Sequence, residues 1–351
     1  MKHPWTLVTG ASGFIGSTLV RQLVERGEHV KGFVRAGSDL RPLRGLPEDR
    51  FQLAFGDILV EHTVYRALAG CTRLFHAAAN FELWDRRPER IVRPAVDGTR
   101  AVLNAARARG LEKIVVTSST AVLGTTTSDA PMNEEHEFNL SDPEAYTRAK
   151  YEAEQVVVEF VDKGLPVVRV LPSTALGPGD WKPTPNGRTV IAYLKAPPSF
   201  RVPVFEGGLN IADVDDIARG HILAMQKGAV GERYILGGDN LSFTQIFESL
   251  SEVTGLAEPG APRSKGLATL IGGLWELKAR FSGGRPVLTR RLARDYIGAY
   301  VYVTSEKAER ELGYTHRSAR EAQARSVRWF LEKGYVPERA ASRVRLELRP
   351  V

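Results

Sequence analysis

The chain holds 351 residues, 43% apolar and 25% charged, with a formal excess of seven positive charges. Such a balance marks a globular protein long enough for one large α/β domain with an elaborated second lobe, or for two domains. Cys71 is the single cysteine, which excludes an intrachain disulfide framework and a cysteine metal cluster and leaves a buried structural thiol as the expected state.

Trp5–Thr9 reads as a first strand and runs into Thr9-Gly10-Ala11-Ser12-Gly13-Phe14-Ile15-Gly16. Ile15, Leu19, Leu23 and Val24 then share one face of a helical pattern over Phe14–Arg26. Strand, glycine-rich turn and helix start in that order are what a dinucleotide fingerprint requires. Gly10 permits the tight turn, Gly13 lets backbone approach a pyrophosphate, and Gly16 lets the helix pack closely on the sheet. The pyrophosphate would sit at the helix N-terminus, where unpaired N–H groups and the macrodipole favour negative charge.

Further strands are expected at Val30–Val34, Phe51–Phe55, Arg73–Ala77, Lys113–Thr117 and Val167–Leu171, with helices most clearly at Arg90–Arg109 and Pro143–Val161. The alternation predicts an α/β fold, a doubly wound parallel Rossmann sheet with its ligand crevice at the carboxyl ends of the strands. After Leu171 the pattern loosens, and the proline-rich run 172–200 reads as a long functional loop. Residues 210–216 lead into a helix over Ile217–Gln226, Tyr234–Leu236 reads as a strand, and Ser242-Phe243-Thr244-Gln245 as a capping box. A nucleotide-binding domain over 1–172, completed by about 202–236, is expected beside a smaller, mostly helical substrate-binding lobe over 173–201 and 237–337, with 338–351 as a tail.

Basic residues cluster at Arg86-Arg87-Arg90-Arg93 and from Arg285 to Arg294. Charge alone permits nucleic acid, but no zinc spacing or RNA-binding aromatic motif accompanies it, so a solvated basic face is expected and no nucleic-acid partner. The first strand begins within about five residues of Met1, which leaves no room for a signal peptide. The longest apolar stretch, Gly266–Trp275, is too short to span a bilayer. It suits an amphipathic lid or a membrane-touching helix, with core packing the preferred reading. A cytoplasmic protein without an integral membrane segment follows as the expectation.

Tyr146-Thr147-Arg148-Ala149-Lys150 gains weight from its position. Ser141-Asp142-Pro143-Glu144 makes a helix start, so Tyr146 and Lys150 fall on one helix face. An ammonium beside a phenol is expected to lower the tyrosine pKa toward the operating pH, which suits proton exchange while a hydride moves to or from a neighbouring carbon. Thr117-Ser118-Ser119-Thr120 ends an apolar strand and sets hydroxyls at the sheet's carboxyl edge, where one can hold a substrate oxygen beside Tyr146.

Nearly the whole chain, from the Thr9–Gly16 turn to Glu311-Leu312-Gly313-Tyr314, resembles the extended short-chain dehydrogenase/reductase superfamily, also called NAD-dependent epimerase/dehydratase. By motif, the resemblance implies that Ser119, Tyr146 and Lys150 are the catalytic trio. Tyr146 would act as acid/base, Lys150 would also bind the nicotinamide ribose, and Ser119 would orient the reacting carbonyl or hydroxyl. Asp57, followed by Ile58, matches the residue that usually contacts adenine. His76-Ala77-Ala78-Ala79 matches the fourth-strand motif beside the cofactor, Thr117 ends the fifth strand, and Pro172-Ser173-Thr174 matches the segment near the nicotinamide. The chain departs from the family at Ala95, where an asparagine commonly ties helix to strand. The resemblance also permits a homodimer through the two long helices flanking the fifth strand, and a monomer just as well.

NAD-preferring sites usually end the second strand with a carboxylate; here Phe33-Val34 is followed by Arg35 and then Ala36-Gly37-Ser38. An arginine fork grips a 2′-phosphate that a carboxylate would repel, so NADP(H) over NAD(H) is expected, with Arg35 as reader and Ser38 as second donor. Pro172-Ser173-Thr174-Ala175-Leu176-Gly177-Pro178 lacks the asparagine of nucleotide-sugar members and resembles the dihydroflavonol reductase and 3β-hydroxysteroid dehydrogenase branches. Residues Asp180 to Arg188 resemble hopanoid-associated sugar epimerases. Asn80, Phe81, Leu83 and Trp84 are expected to overhang the substrate, faced by Trp181 and Tyr193, an aromatic pocket suited to a hydrophobic ketone. Two other readings stay open: a sugar epimerase or dehydratase that retains its nicotinamide, and a non-catalytic dinucleotide sensor. No resident metal is expected.

Overall fold

The structure is a computed structural model and describes residues 4–79, 81–82, 84–282 and 289–346. The first half alternates strand and helix: β1 (Trp5–Thr9), α1 (Phe14–Glu25), β2 (His29–Val34), β3 (Phe51–Phe55), α2 (Glu61–Ala67), β4 (Cys71–His76), α3 (Glu89–Arg109), β5 (Lys113–Thr117), α4 (Ala145–Asp162) and β6 (Val167–Pro172). The second half adds β7 (Thr174–Leu176), α5 (Pro185–Lys195), β8 (Gly208–Asp213), α6 (Val214–Lys227), β9 (Arg233–Leu236), β10 (Asp239–Ser242), α7 (Phe243–Thr254), α8 (Lys265–Ser282), α9 (Arg290–Tyr296), β11 (Tyr300–Val301), α10 (Glu306–Leu312), α11 (Ala319–Glu332) and α12 (Glu338–Ala341).

Seven strands form one sheet in the order β3-β2-β1-β4-β5-β6-β9, and every neighbouring pair in it is parallel. The strand order reverses at β1/β4, which opens a crevice at the carboxyl ends of those strands. Period-two alternation divides the side chains between two layers. Val8, Phe75 and Val115 pack with α1, α6 and α10 on one face. Leu7, Leu74, Ile114 and Val116 pack with α2, α3 and α4 on the other. Central strands buried on both faces explain the near-continuous Val/Ile/Leu runs of β5 and β6.

A second, four-stranded sheet is centred on β8, which pairs antiparallel with β10 and parallel with β7 and β11. Beside it, α5, α7 and α11 bury Tyr193, Leu250 and Phe330 in a separate core. The run expected as a long loop contains α5, because Pro185 stands at the first helical position and Thr184 caps Gly187 N–H at 3.1 Å. Proline density alone misread that segment. The capping box at Ser242 and Gln245 forms as the sequence predicts.

Helix α8 departs from the preferred core packing. It turns Ala268, Gly272 and Gly273 inward, and a Cβ on Gly272 would meet Thr289 backbone at 2.9 Å. Its leucines face out. Among the described residues no helix is long and apolar enough to cross a membrane.

Candidate active site

Gly10 adopts φ +69°, and a Cβ there would lie 2.7 Å from the Ala77 carbonyl oxygen on the neighbouring strand end. On Gly16 a Cβ would lie 2.1 Å from Gly10 O, so only glycine lets α1 start this close to the turn. Gly13 caps α1 with no side-chain hydrogen bond, leaving the first-turn N–H groups of Phe14, Ile15 and Gly16 for a ligand. Ser12 is half-buried beside them. Ser173 Oγ is buried without a hydrogen-bond partner among the described residues, between Pro172, which ends β6, and Thr174, which begins β7. This donor-rich, glycine-lined cradle fits a dinucleotide. Arg35 is exposed at the end of β2 and Ser38 closes the following turn, Ser38 N–H donating to Arg35 O at 3.1 Å. Asp57 accepts Leu59 N–H at 3.0 Å, and Ile58 fills the space beside Gly98 on α3.

Beyond the cradle, one pocket is lined by His76, Ala78, Ala79, Ala95, Thr99, Thr117, Ser118, Tyr146, Lys150 and Glu154, among others. Strand ends β4 and β5 form its floor, and α3 and α4 its walls. Helix α4 begins at Ala145, later than the sequence suggests, since the Glu144 carboxylate turns away to accept a hydrogen bond from Thr289 Oγ1 instead of capping α4. Tyr146 and Lys150, one helical turn apart, both reach the pocket. Ser119 Oγ, just past β5, accepts Ala121 N–H at 3.2 Å, and the Phe81 ring lies 4.5 Å from the Tyr146 ring, centroid to centroid. Ala77 leads from β4 to the pocket residues Ala78 and Ala79.

The electrostatics differ from the expectation for the tyrosine. Burial pushes Tyr146 above its usual value, opposed by the Ser119 side chain. Lys150 donates to the Thr117 carbonyl at 3.0 Å, and burial pulls its own pKa down to about 8, with Glu154 opposing. Desolvation disfavours both charged forms, so the phenol is held protonated rather than poised as phenolate.

Two buried histidines brace the pocket, and sequence reasoning missed their roles. His76 Nδ1 pairs with Thr9 Oγ1 at 2.8 Å, and its Nε2 with Thr99 Oγ1 at 3.2 Å. That bridge ties α3 to β4 where Ala95 offers no amide. His221 on α6 bonds Thr117 Oγ1 at 2.9 Å and Ile217 O at 2.8 Å. Burial, then the Lys150 charge, lower these imidazoles to about 3 and about 4, so both stay neutral. A histidine one residue before Ala77-Ala78-Ala79 was a visible signal for His76; His221 had none.

The aromatics divide. Phe81 reaches Tyr146 and Trp84 is half-buried after it, while Asn80 and Leu83 lie outside the described residues. Trp181 sits 5.4 Å from Trp329 with the Arg41 guanidinium 4.9 Å from its ring, joining α11 to the segment after β2. Tyr193 is buried with its hydroxyl on Ala257 O at 3.0 Å and its ring 5.9 Å from Phe247. Neither Trp181 nor Tyr193 lines the Tyr146–Lys150 pocket. Cys71 is half-buried, its thiol pushed by burial to about 11, which disfavours the thiolate.

The sequence profile of the NAD dependent epimerase/dehydratase family matches residues 6–237. The chain belongs to that family. It is 36% identical over 336 residues to a Synechocystis sp. protein named "Putative dihydroflavonol 4-reductase", covering 94% of this chain and 95% of that one. It is 34% identical to sterol demethylase protein B of Methylococcus capsulatus, covering 94% and 99%. The crystal structure of gox2253 superposes with a TM-score of 0.82 at 37% identity, covering 95% of this chain and 100% of that one. As a family member the chain is an oxidoreductase with a Rossmann fold that uses a nicotinamide dinucleotide.

Lys150 makes a stability prediction. Its ordinary value is 10.5 and its folded value about 8, so between those pH values the folded chain binds fewer protons than the unfolded one. Stability therefore rises with pH through that window, and the full penalty is present below pH 8. Lys150→Met removes the penalty, and in nucleotide-free protein at pH 7 it is expected to raise Tm by about 2–4 °C. Thermal melts at pH 7 and 10.5 check this, since the gain shrinks at the higher pH. A lower Tm at pH 7 would mean that the Thr117 bond outweighs the burial penalty.

Proposed function

We propose that the protein is an NADP(H)-dependent reductase that interconverts a ketone and a secondary alcohol on a largely apolar small molecule. The observation that carries this reading is the placement of Tyr146 and Lys150 together in the pocket at the ends of β4 and β5, with the Phe81 ring 4.5 Å from the Tyr146 ring. A phenol kept neutral by burial is a proton donor, which is what reduction of a carbonyl demands. Gly10, Gly13, Gly16 and the α1 N-terminus would hold the pyrophosphate, Asp57 and Ile58 the adenine end, and Arg35 with Ser38 a 2′-phosphate. Ala77, Ala78, Ala79, Thr117 and Pro172-Ser173-Thr174 would flank the nicotinamide end. When bound, the nicotinamide supplies the hydride. Ser119 orients the carbonyl oxygen, Tyr146 gives its hydroxyl proton to that oxygen, and the Lys150 ammonium stabilises the phenolate left behind. Thr117 O fixes the Lys150 side chain for that role.

The first test is mass spectrometry of nucleotide released from freshly purified, denatured protein, paired with NADPH and NADH titrations of native wild type and Arg35→Asp. An empty site or substoichiometric NADP(H), with NADPH binding tighter than NADH and the preference lost in Arg35→Asp, supports the proposal. Stoichiometric NAD⁺ would overturn it in favour of an epimerase or dehydratase that regenerates its cofactor in place.

A further inference from the structure

Helix α8 has its apolar residues on the wrong side for a core helix. Leu267, Leu270, Leu274 and Leu277 follow the 3–4–3 spacing of a single stripe and are 38%, 63%, 60% and 51% exposed, with Trp275 beside them at 36%. The inward positions are small, Ala268, Gly272 and Gly273, and they bring α8 against the start of α9 at Thr289 and Arg290. Scattered exposed leucines need no explanation, whereas a contiguous leucine stripe on one helix does.

The charge around this stripe is equally uneven. The described residues between 263 and 295 include seven Lys or Arg (Arg263, Lys265, Lys278, Arg280, Arg290, Arg291, Arg294) against two acids, Glu276 and Asp295. That local excess of five is most of the formal excess of seven carried by the entire chain. Some of the cations are engaged: Arg290 with Glu276, Arg291 with Asp142, and Arg294 with Asp142 and Asp295. Arg263 and Lys265 are exposed at the helix entry.

We propose that the α8 face docks on an anionic phospholipid surface. A helix with a leucine stripe on one side and lysine and arginine near it lies in the headgroup plane, its apolar side chains entering the acyl boundary while the cations meet lipid phosphates. The charge complementarity selects this occupant. A second copy would oppose one basic excess to another, and a neutral apolar protein groove would leave the cations unused. The surface stands next to the catalytic helix, since α9 also contacts Asp142, Glu144 and Thr147 at the start of α4. The inference does not depend on the substrate or cofactor preference proposed above.

Full-length protein is mixed at low salt with vesicles of phosphatidylcholine alone or with about one third phosphatidylglycerol, and bound protein is separated by flotation. The expected result is at least tenfold tighter partition to the anionic vesicles, weakening as salt is raised. Leu270→Glu/Leu274→Glu should lose at least tenfold of that binding with unchanged circular dichroism and nucleotide affinity. Arg263→Glu/Lys265→Glu, which leaves the leucine stripe intact, should lose the salt-sensitive part and keeps the test open if the leucine variant misfolds. Failure of the wild type to bind anionic vesicles overturns the proposal, as does binding that survives both double variants. A wild-type dimer that becomes monomeric in Leu270→Glu/Leu274→Glu, without vesicle binding, overturns it in favour of self-association.

Discussion

Tyr146→Phe is expected to lower ketone turnover with NADPH by about 10²–10⁴-fold while leaving nucleotide affinity unchanged. The substitution keeps the ring that packs 4.5 Å from Phe81 and removes only the hydroxyl. Packing therefore survives and the proton donor does not. Steady-state rates over a panel of apolar ketones, together with a nucleotide titration, separate the two effects. Turnover near the wild-type rate would mean that another group delivers the proton.

The second large effect is at the glycine turn. A Cβ on Gly16 would stand 2.1 Å from Gly10 O, a contact between backbone and β-carbon that no rotamer change relieves. Either α1 withdraws from the turn or the turn opens, and both spoil the alignment of the first-turn N–H groups. Gly16→Ala should cost about 1–3 kcal/mol of stability by overpacking, and nucleotide affinity should fall at least tenfold. Gly266→Ala is the matched control. It lies in α8 with open space around its Cβ position and no positive φ, so helix propensity alone predicts no loss. Denaturant unfolding and nucleotide titration of both variants decide the matter; equal affinities would show that the turn tolerates a methyl group.

The parts legible in sequence are those encoded locally. The glycine spacing, the Tyr146–Lys150 pair and the capping box at Ser242 each occupy a few consecutive residues, and the β/α alternation is a succession of such short patterns. Missed were features that join distant residues. The Thr9–His76–Thr99 bridge and the Thr117–His221 bond span 67, 23 and 104 positions, and only folding brings these groups together. Trp181 and Tyr193 illustrate the same limit. Their aromatic character was plain, but whether each faces a pocket or a core depends on where α7 and α11 dock. The direction of the Tyr146 shift was misread because a neighbouring cation is visible in a helix pattern and desolvation is not.

Helix α9 is fastened to the first turn of α4 at four points. Tyr296 Oη meets Thr147 Oγ1 at 2.9 Å, Thr289 donates to Glu144, and Arg291 and Arg294 hold Asp142. Tyr296 also packs against the cluster formed by Leu171 of β6 and Ile235 of β9, so the clasp ties the sheet to that turn. Loosening of α9 would therefore disturb the turn that carries Tyr146 and the packing at the ends of β6 and β9 together. The register of the tyrosine and the packing at those strand ends are then lost in one event rather than two.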